Sequence, residues 1–316
     1  MVEAPSRAQS KVVAQFVLLA MAWGSSFLFI KIGLRDLSPT QVVLARMVFG
    51  ALALGALVAI TRRPLPRDPR VWGHLTVVTV LLCVVPFTLF AWAEQKISSG
   101  LASIFNATTP LVAMVFAAAM LPTERFNRPR TLGVGLGFAG VVTIIGPWSG
   151  LGEHNDFLSQ LACLGATACY GLAFAYLRRF VAGRGLPAPT LAFVQVLIGA
   201  VIMIVATPWV ASEPVDGLSV TVVLSMVVLG AFGTGMAYVW NNNIVSAWGA
   251  VNGAAVTYLS PVVGVILGIV LLGEPLSWNQ PVGAALVILG IMAAHGRLNG
   301  IFQRRGGVSA EQEGVR

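Results

Sequence analysis

Charged side chains are scarce in this sequence of 316 residues, in which Asp, Glu, Lys and Arg together account for only 10%. A soluble globular domain carries about 25% charged residues. Because 57% of the chain is hydrophobic, it has too few polar groups to cover a folded surface in water. An ordinary soluble domain is therefore excluded, and apolar stretches of about 20 residues indicate a protein whose helices cross a membrane several times.

Cysteine and histidine are equally rare, with three of each. Cys83, Cys163 and Cys169 lie singly within apolar runs, a pattern that predicts neither a disulfide framework nor a zinc site. The chain also lacks an ATP-binding loop of the type GxxxxGKS or GxxxxGKT, which excludes ATP-driven transport by this chain alone. No basic run interleaved with aromatics stands out. We therefore expect no metal, no cofactor and no nucleic acid partner.

Ten apolar stretches are long enough to cross a hydrocarbon core about 30 Å thick. They are predicted at 12–31, 38–61, 71–93, 98–121, 129–147, 157–177, 187–210, 218–240, 249–272 and 279–296. If the N-terminus is cytoplasmic, 16 of the 20 basic residues fall in cytoplasmic segments, and only Lys31, Arg35 and Lys96 fall outside. Because an excess of Lys and Arg marks the cytoplasmic face, both termini are predicted to be cytoplasmic.

The two halves of the sequence resemble each other at an offset of about 150 residues. The segment 100–110 aligns with 252–261, and 23–27 aligns with 170–174. Each repeat, 1–150 and 151–316, contains five predicted spans, so the second must enter the membrane from the opposite side. Inverted repeats are typical of secondary transporters, which bind their substrate near the bilayer midplane between the repeats. The alternative is that the duplication only builds a stable helix bundle.

Several of these residues carry a family resemblance. The Trp23-Gly24 start, Arg46 in the second span and the segment from Pro261 to Gly273-Glu274-Pro275 resemble the EamA type of the drug/metabolite transporter superfamily, especially bacterial amino-acid and metabolite exporters. The first half departs from the pattern, with Pro122-Thr123-Glu124 in place of Gly-Glu. The resemblance implies an all-α integral protein of the bacterial inner membrane that is not an enzyme. It also implies that the first, third and fourth spans of each repeat surround a central cavity.

Two prolines, Pro110 and Pro261, lie near the middle of their predicted spans. A proline in a helix leaves the carbonyl four residues earlier without its partner, and those carbonyls belong to Asn106 and Thr257, which are equivalent in the repeat. Irregular backbone at this depth is tolerated only against protein or a water-filled cavity. These groups, with Thr109 or Ser260 on the same helical face, either bind a polar solute or satisfy nearby backbone.

Aromatic side chains form the second part of the predicted lining. Those deep in the spans are expected to face the cavity, whereas Trp92, Tyr176 and Trp240, near span ends, fit the interfacial belt of membrane proteins better. An aromatic face attracts an ammonium group or packs on an apolar side chain. The complete predicted substrate-binding set is Trp23, Ser26, Gln95, Asn106, Thr109, Tyr170, Tyr238, Thr257, Tyr258 and Ser260.

The few charges within the spans allow two interpretations. Arg46 lies about eight residues into its span, where a charge is by default a functional hypothesis. If the second span is peripheral, Arg46 instead caps carbonyls or extends toward the membrane surface, and we favour this structural role. No acidic residue lies deep in a span, although Glu94 with Gln95 offers a titrating site at the outer mouth. The pattern therefore favours a facilitator driven by the gradient of its solute.

The sequence thus predicts a carrier of small metabolites that works by alternating access, with amino acids as the leading substrates. A mixture of uncharged polar groups and aromatics, without paired fixed charges, suits a zwitterion. A drug or nucleotide-sugar transporter of the same superfamily is the alternative. A membrane-embedded transferase would need clustered carboxylates, histidines or a metal set, and a channel lacks a discriminating motif. Expected partners are the small-molecule substrate, the lipid bilayer and, through matched glycines, a second copy of the chain.

Overall fold

The computed structural model describes residues 7–120, 127–149, 156–181, 184, 186–211, 213–215, 217–248 and 255–294. Within these ranges every regular element is helical and none is a strand. The α-helices are α1 (Arg7–Gly33), α2 (Pro39–Ile60), α3 (Pro69–Thr79), α4 (Val85–Ala93), α5 (Ser99–Asn106), α6 (Thr109–Met120), α7 (Arg128–Ile145), α8 (Phe157–Phe180), α9 (Ala188–Val210), α10 (Val220–Gly230), α11 (Ala237–Trp248), α12 (Val256–Leu272) and α13 (Asn279–Ala294).

Seven helical segments in the described part of the chain are long and apolar enough to span a bilayer. They are Gln9–Gly33, Pro39–Ile60, Pro69–Ala93, Ser99–Met120, Phe157–Phe180, Ala188–Val210 and Val220–Trp248. Two further apolar helices, α12 and α13, are shorter, and α7 carries Arg128 and Arg130 in its first turn. Each of the ten predicted stretches therefore contains a helical segment, and the chain is a polytopic membrane protein.

Short polar residues fix where the helices begin. The side chain of Ser38 accepts a hydrogen bond from the Gln41 backbone, and the Gln41 side chain accepts one from the Ser38 backbone, which completes a capping box. Such caps satisfy N–H groups that have no partner within the helix. Five other helices begin with a simpler cap, in which a side-chain oxygen accepts a hydrogen bond from a backbone N–H of the first turn. The capping residues are Asp68, Ser98, Asn127, Asp156 and Ser219.

Two π-helical segments interrupt the spans in which they lie. The first, π1, covers Val80–Val84 between α3 and α4, and the second, π2, covers Ala231–Met236 between α10 and α11. Their starting positions differ by 231 − 80 = 151 residues, the offset of the sequence repeat. Pro86, which has no N–H to donate, is the second residue of α4, two positions after π1 ends. Such segments are frequently found at functional sites because they displace backbone and side chains locally.

The fourth span is broken, whereas the sequence predicted a continuous helix with Pro110 near its middle. Helix α5 ends at Asn106 and α6 begins at Thr109. Pro110 therefore lies in the first turn of a new helix, where its missing N–H costs little. In the second half Pro261 lies inside α12, and residues 249–254, which align with the start of the broken span, lie outside the described residues.

Helices α7 and α13 make the most extensive contact between helices. A methyl group added at Gly140 would lie 2.8 Å from the Gly283 carbonyl oxygen, and one added at Gly283 would lie 2.7 Å from the Gly140 carbonyl oxygen. Gly133 and Gly290 meet in the same way. Small residues allow such close approach of membrane helices. The matched glycines therefore pack against each other within the chain.

Candidate functional site

A cavity of about 220 Å³ lies in the centre of the helix bundle. Its walls come from α1, α4, α5, α6, α8, α11 and α12, from both π-segments, and from one residue of α2. Apart from α2, these helices belong to the spans that the family resemblance placed around a cavity. The lining residues are Trp23, Ser26, Phe27, Ile30, Arg46, Leu82, Phe87, Phe90, Asn106, Thr109, Tyr170, Phe174, Gly233, Thr234, Tyr238, Asn241 and Thr257.

Seven of the ten residues predicted to bind substrate line this cavity together. They are Trp23, Ser26, Asn106, Thr109, Tyr170, Tyr238 and Thr257. Asn106 and Thr257, equivalent in the sequence repeat, reach the same space from α5 and α12. The alignment of the repeats therefore identified two polar residues that share one cavity, although Pro110 begins a helix and does not lie inside one.

Three predicted residues lie elsewhere. Gln95 lines a second cavity of about 600 Å³, between the α1–α2 connection, α4 and the end of α9. Ser260 is 3% exposed, and its hydroxyl donates to the carbonyl oxygen of Val256 at 3.0 Å. Its own carbonyl oxygen faces α1, only 2.6 Å from where a methyl group at Gly24 would lie. Tyr258 packs against the hydrophobic core. Thr109 lines the cavity and Ser260 does not, because the face of α12 that carries Ser260 is in close contact with α1.

The polar groups of the cavity are incompletely hydrogen-bonded. Ser26 donates its hydroxyl to the Ala22 carbonyl oxygen at 2.8 Å, so its oxygen still has lone pairs to offer. Within the described residues the hydroxyl of Thr109 has no hydrogen-bond partner. A buried polar group without a partner costs free energy. The Ser26 oxygen can therefore accept a hydrogen bond from a solute or from water, whereas the Thr109 hydroxyl is itself buried in this structure.

Arg46 belongs to the cavity wall and does not extend to the membrane surface. Its side chain is buried, Nε donates to Thr234 Oγ1 at 3.0 Å, and Cζ lies 3.7 Å from the centre of the Phe87 ring. Arg46 therefore neither reaches outward nor caps a carbonyl in the described residues, and its bond to Thr234 is compatible with a structural role as well as with a functional one. The side chain does not reach outward because α2 packs against α9, α10 and π2, which leaves this face of α2 turned inward.

Glu94 does not sit in an open mouth, as the sequence suggested. It caps the C-terminus of α4, its side chain is fully buried, and neither carboxylate oxygen has a hydrogen-bond partner among the described residues. Nearby, the Lys31 ammonium donates to the backbone carbonyl oxygens of Glu94 and Ile97. Gln95 follows Glu94 directly in the turn after α4, and it lines the second cavity, whereas Glu94 lines neither cavity.

No group of three or more His, Cys, Asp or Glu side chains that could hold a metal ion occurs in the described ranges. The cavity lining contains one cation, Arg46, and no carboxylate. The described part of its wall combines aromatic faces, hydroxyls, amides and one guanidinium.

Comparison with known proteins gives the family context of this arrangement. The profile of the EamA-like transporter family matches residues 10–146 and 158–294. Proteins named probable amino-acid metabolite efflux pump, from Salmonella typhimurium and Escherichia coli, are each 25% identical over 87% of this chain and 91% of their own length. An uncharacterized transporter of Bacillus subtilis is 23% identical over 90% of this chain and 91% of its own length.

One crystal structure supports the fold independently. It covers 90% of this chain and 98% of its own chain with a TM-score of 0.64, at 20% sequence identity. At this identity the likeness concerns the fold alone.

Proposed function

The chain belongs to the EamA-like transporter family, and from this premise we propose that it carries small amino-acid-like metabolites across the membrane by alternating access. The observation that carries the proposal is the central cavity, where polar and aromatic groups from both halves of the chain meet. Hydroxyl and amide groups suit the polar ends of such a solute, and the aromatic faces suit its side chain or its ammonium group.

The size of the cavity supports a small solute. Sites for drug-sized ligands enclose about 300–1,000 Å³, whereas this cavity encloses about 220 Å³. A nucleotide sugar would also need several basic groups for its phosphates, and the lining offers only Arg46. The names of the efflux pumps that the chain resembles at 25% identity agree with amino-acid metabolites. Amino acids are therefore favoured over drugs and nucleotide sugars.

We further propose that the chain consists of two inverted five-helix repeats, 1–150 and 151–316. Support comes from the two ranges that the family profile matches, from the matched π-segments and from Asn106 and Thr257 lining one cavity. The distribution of Lys and Arg supports cytoplasmic termini in a bacterial inner membrane. The relatives are named as transporters, in agreement with a carrier that performs no chemistry on its solute.

Energy coupling follows from the charges in the wall. Proton-coupled carriers keep an ionisable relay within the membrane, but no carboxylate lines the cavity, and Glu94 is sealed away from it. We therefore propose facilitated movement down the gradient of the solute itself. In that case transport proceeds without a proton gradient.

The experiment is counterflow in proteoliposomes that contain the purified chain, with equal pH on both sides. Radiolabelled neutral amino acids and cationic drugs are tested side by side. We expect saturable counterflow of at least one amino acid, and weaker or no counterflow of the drugs. Failure of every amino acid would overturn the substrate class, and non-saturable flux would indicate a channel. Size measurement of the detergent-solubilised protein in the same preparation tests whether it dimerises.

A further inference from the structure

We propose that Arg46 anchors the carboxylate of the transported solute, so that the cavity selects small metabolites with a carboxylate over analogues without one. The inference deepens the proposed function and rests on it. It makes Arg46 the residue that determines specificity, and it identifies an anionic group as the part of the solute that the protein recognises.

The geometry leaves one edge of the guanidinium available. Arginine presents five N–H donors in a planar fork. In Arg46 the Nε donor is taken by Thr234 Oγ1, and the ring of Phe87 covers one face. Neither Nη atom has a hydrogen-bond partner in the part of the chain that the structure describes. Both Nη atoms keep some exposed surface. Because Arg46 lines the cavity, we infer that this edge is offered to the solute, whose carboxylate can accept two parallel hydrogen bonds from it.

The charge balance points the same way. Arg46 makes no salt bridge with any described carboxylate. Glu94 interacts electrostatically with Arg46, but Glu94 does not line the cavity. A buried charge without a partner is strongly destabilising. A solute carboxylate would supply the missing partner, whereas an ammonium group at the same place would be repelled.

The rest of the lining suits the remainder of such a solute. Trp23, Tyr170 and Tyr238 present aromatic side chains to the same cavity, and the phenols of Tyr170 and Tyr238 are electrostatic neighbours of Arg46. Aromatic faces attract ammonium groups and pack on apolar side chains. An amino acid can therefore place its carboxylate on Arg46 while its other groups contact the aromatic wall.

Thr234 has a positioning role in this arrangement. It lies in π2, donates its hydroxyl to the Leu229 carbonyl oxygen at 3.5 Å and accepts the Arg46 Nε–H. The π-segment thus fixes the orientation of the guanidinium fork. Removing the Thr234 hydroxyl should keep the positive charge of Arg46 in the cavity wall but leave the orientation of its guanidinium less fixed.

Equilibrium binding of three probes to the purified protein tests the proposal. The probes are leucine, leucinamide, which lacks the carboxylate, and isocaproate, which lacks the amino group. We expect wild type to bind leucine and isocaproate in preference to leucinamide. In Arg46→Gln, leucine binding should weaken about 10- to 100-fold, as for lost hydrogen bonds to a charged group, while leucinamide binding stays unchanged. Arg46→Lys, which keeps the charge without the fork, should retain part of the preference.

Gln195→Met is the matched control. Gln195 is a buried polar residue like Arg46, and it lies near the position equivalent to Arg46 in the second half. It does not line the cavity. The variant should keep the full preference for leucine over leucinamide. A folded Arg46→Gln protein with that preference intact would overturn the proposal. If Arg46→Gln does not fold, Thr234→Val takes its place, and an undiminished preference in that variant overturns the proposal equally.

The outcomes separate this inference from the proposed function. If amino acids are transported but Arg46→Gln leaves the discrimination unchanged, only the role of Arg46 fails. If isocaproate binds in an Arg46-dependent way while no amino acid binds or is transported, the carboxylate anchor stands and the amino-acid assignment fails.

Discussion

The carboxylate of Glu274 accepts hydrogen bonds from the backbone N–H of Ser99 at 2.8 Å and from the Ser99 hydroxyl at 2.9 Å. The N–H of Gly100 donates a third at 3.1 Å. A carboxylate at a helix N-terminus interacts favourably with the unpaired N–H groups and the helix dipole. The connection that follows α12 is thereby tied to the start of α5, across 175 residues of sequence.

Glu274→Ala should destabilise the protein because it removes these three bonds and leaves Ser98 as the only side chain that caps the start of α5 in the described residues. Hydrogen bonds to charged groups contribute about 1.5–3 kcal/mol, and a loss of this order in the free energy of unfolding is expected. Thermal unfolding in detergent measures it. Glu213→Ala, at an exposed glutamate, is the control and should have little effect. Equal stability of the two variants would show that the contact does not hold the two halves together.

The glycine contact between α7 and α13 has a matched control within one helix. A methyl group at Gly140 would meet backbone of α13, whereas one at Gly135 would meet nothing within 4 Å. Gly140→Ala should therefore destabilise by about 1–3 kcal/mol through overpacking, and Gly135→Ala should be neutral or stabilising because alanine favours helix. Thermal unfolding of both variants is the measurement. A Gly140→Ala protein as stable as Gly135→Ala would contradict the close packing.

Glu94 gives the protein a pH-dependent stability. Glu94 directly follows the span Pro69–Ala93, and burial raises the pKa of its carboxyl. The positive charge of Lys31 is the largest influence that lowers this pKa. Glu274 raises it further, and Arg46 lowers it by less than Lys31 does. Because the folded state favours the protonated form, this contribution to stability is complete below the unfolded pKa of about 4.3. It is lost as pH rises toward the folded-state pKa.

Glu94→Gln should remove that pH dependence, since an amide resembles the neutral acid and does not ionise. We expect the variant to match or exceed wild type in melting temperature at neutral pH, and to show a flatter dependence of melting temperature on pH above about 4.3, the unfolded pKa. Glu213→Gln is the control and should keep the wild-type slope. A Glu94→Gln protein that unfolds like wild type at every pH would refute the account of this group.

The sequence was most informative where chemistry repeats between the halves. The alignment of Asn106 with Thr257, combined with the loss of a backbone donor at each proline, identified groups that line one cavity. The deep aromatics Trp23, Tyr170 and Tyr238 were predicted from their depth in the spans that the family resemblance places around a cavity, although Tyr258, predicted with them, does not line it. These predictions needed the repeat, the prolines and the resemblance, and no knowledge of which helices touch.

Other features depended on contacts between distant segments. Arg46 was assigned a structural role because its span seemed peripheral, and only the packing of α2 on π2 shows that the side chain turns inward. Gln95 was placed in the site although a turn after α4 directs it to another cavity. The partner of Glu274 lies 175 residues away, and no local pattern identifies it. Gly233, Gly235 and Pro86 did signal irregular helix, a sign that could have located the π-segments.

Asn106→Ala and Thr257→Ala test the polar lining. Each variant removes a hydrogen-bonding group from the cavity, so each should weaken solute binding about 2- to 10-fold, the effect of one neutral hydrogen bond. Ser260→Ala is the control, because its hydroxyl bonds its own helix outside the cavity. Equilibrium binding of a transported amino acid is the measurement. Unchanged affinity in both cavity variants would remove these groups from the site.

Leucine counterflow by an Asn106→Trp protein tests the central claim most directly, because the indole would fill much of the cavity of about 220 Å³. Wild type and variant are reconstituted at equal density, after size-exclusion chromatography and thermal unfolding have shown that both are folded. We expect saturable leucine counterflow in wild type and none in Asn106→Trp. Unchanged counterflow in the folded Asn106→Trp protein would contradict the claim that solute passes through this cavity.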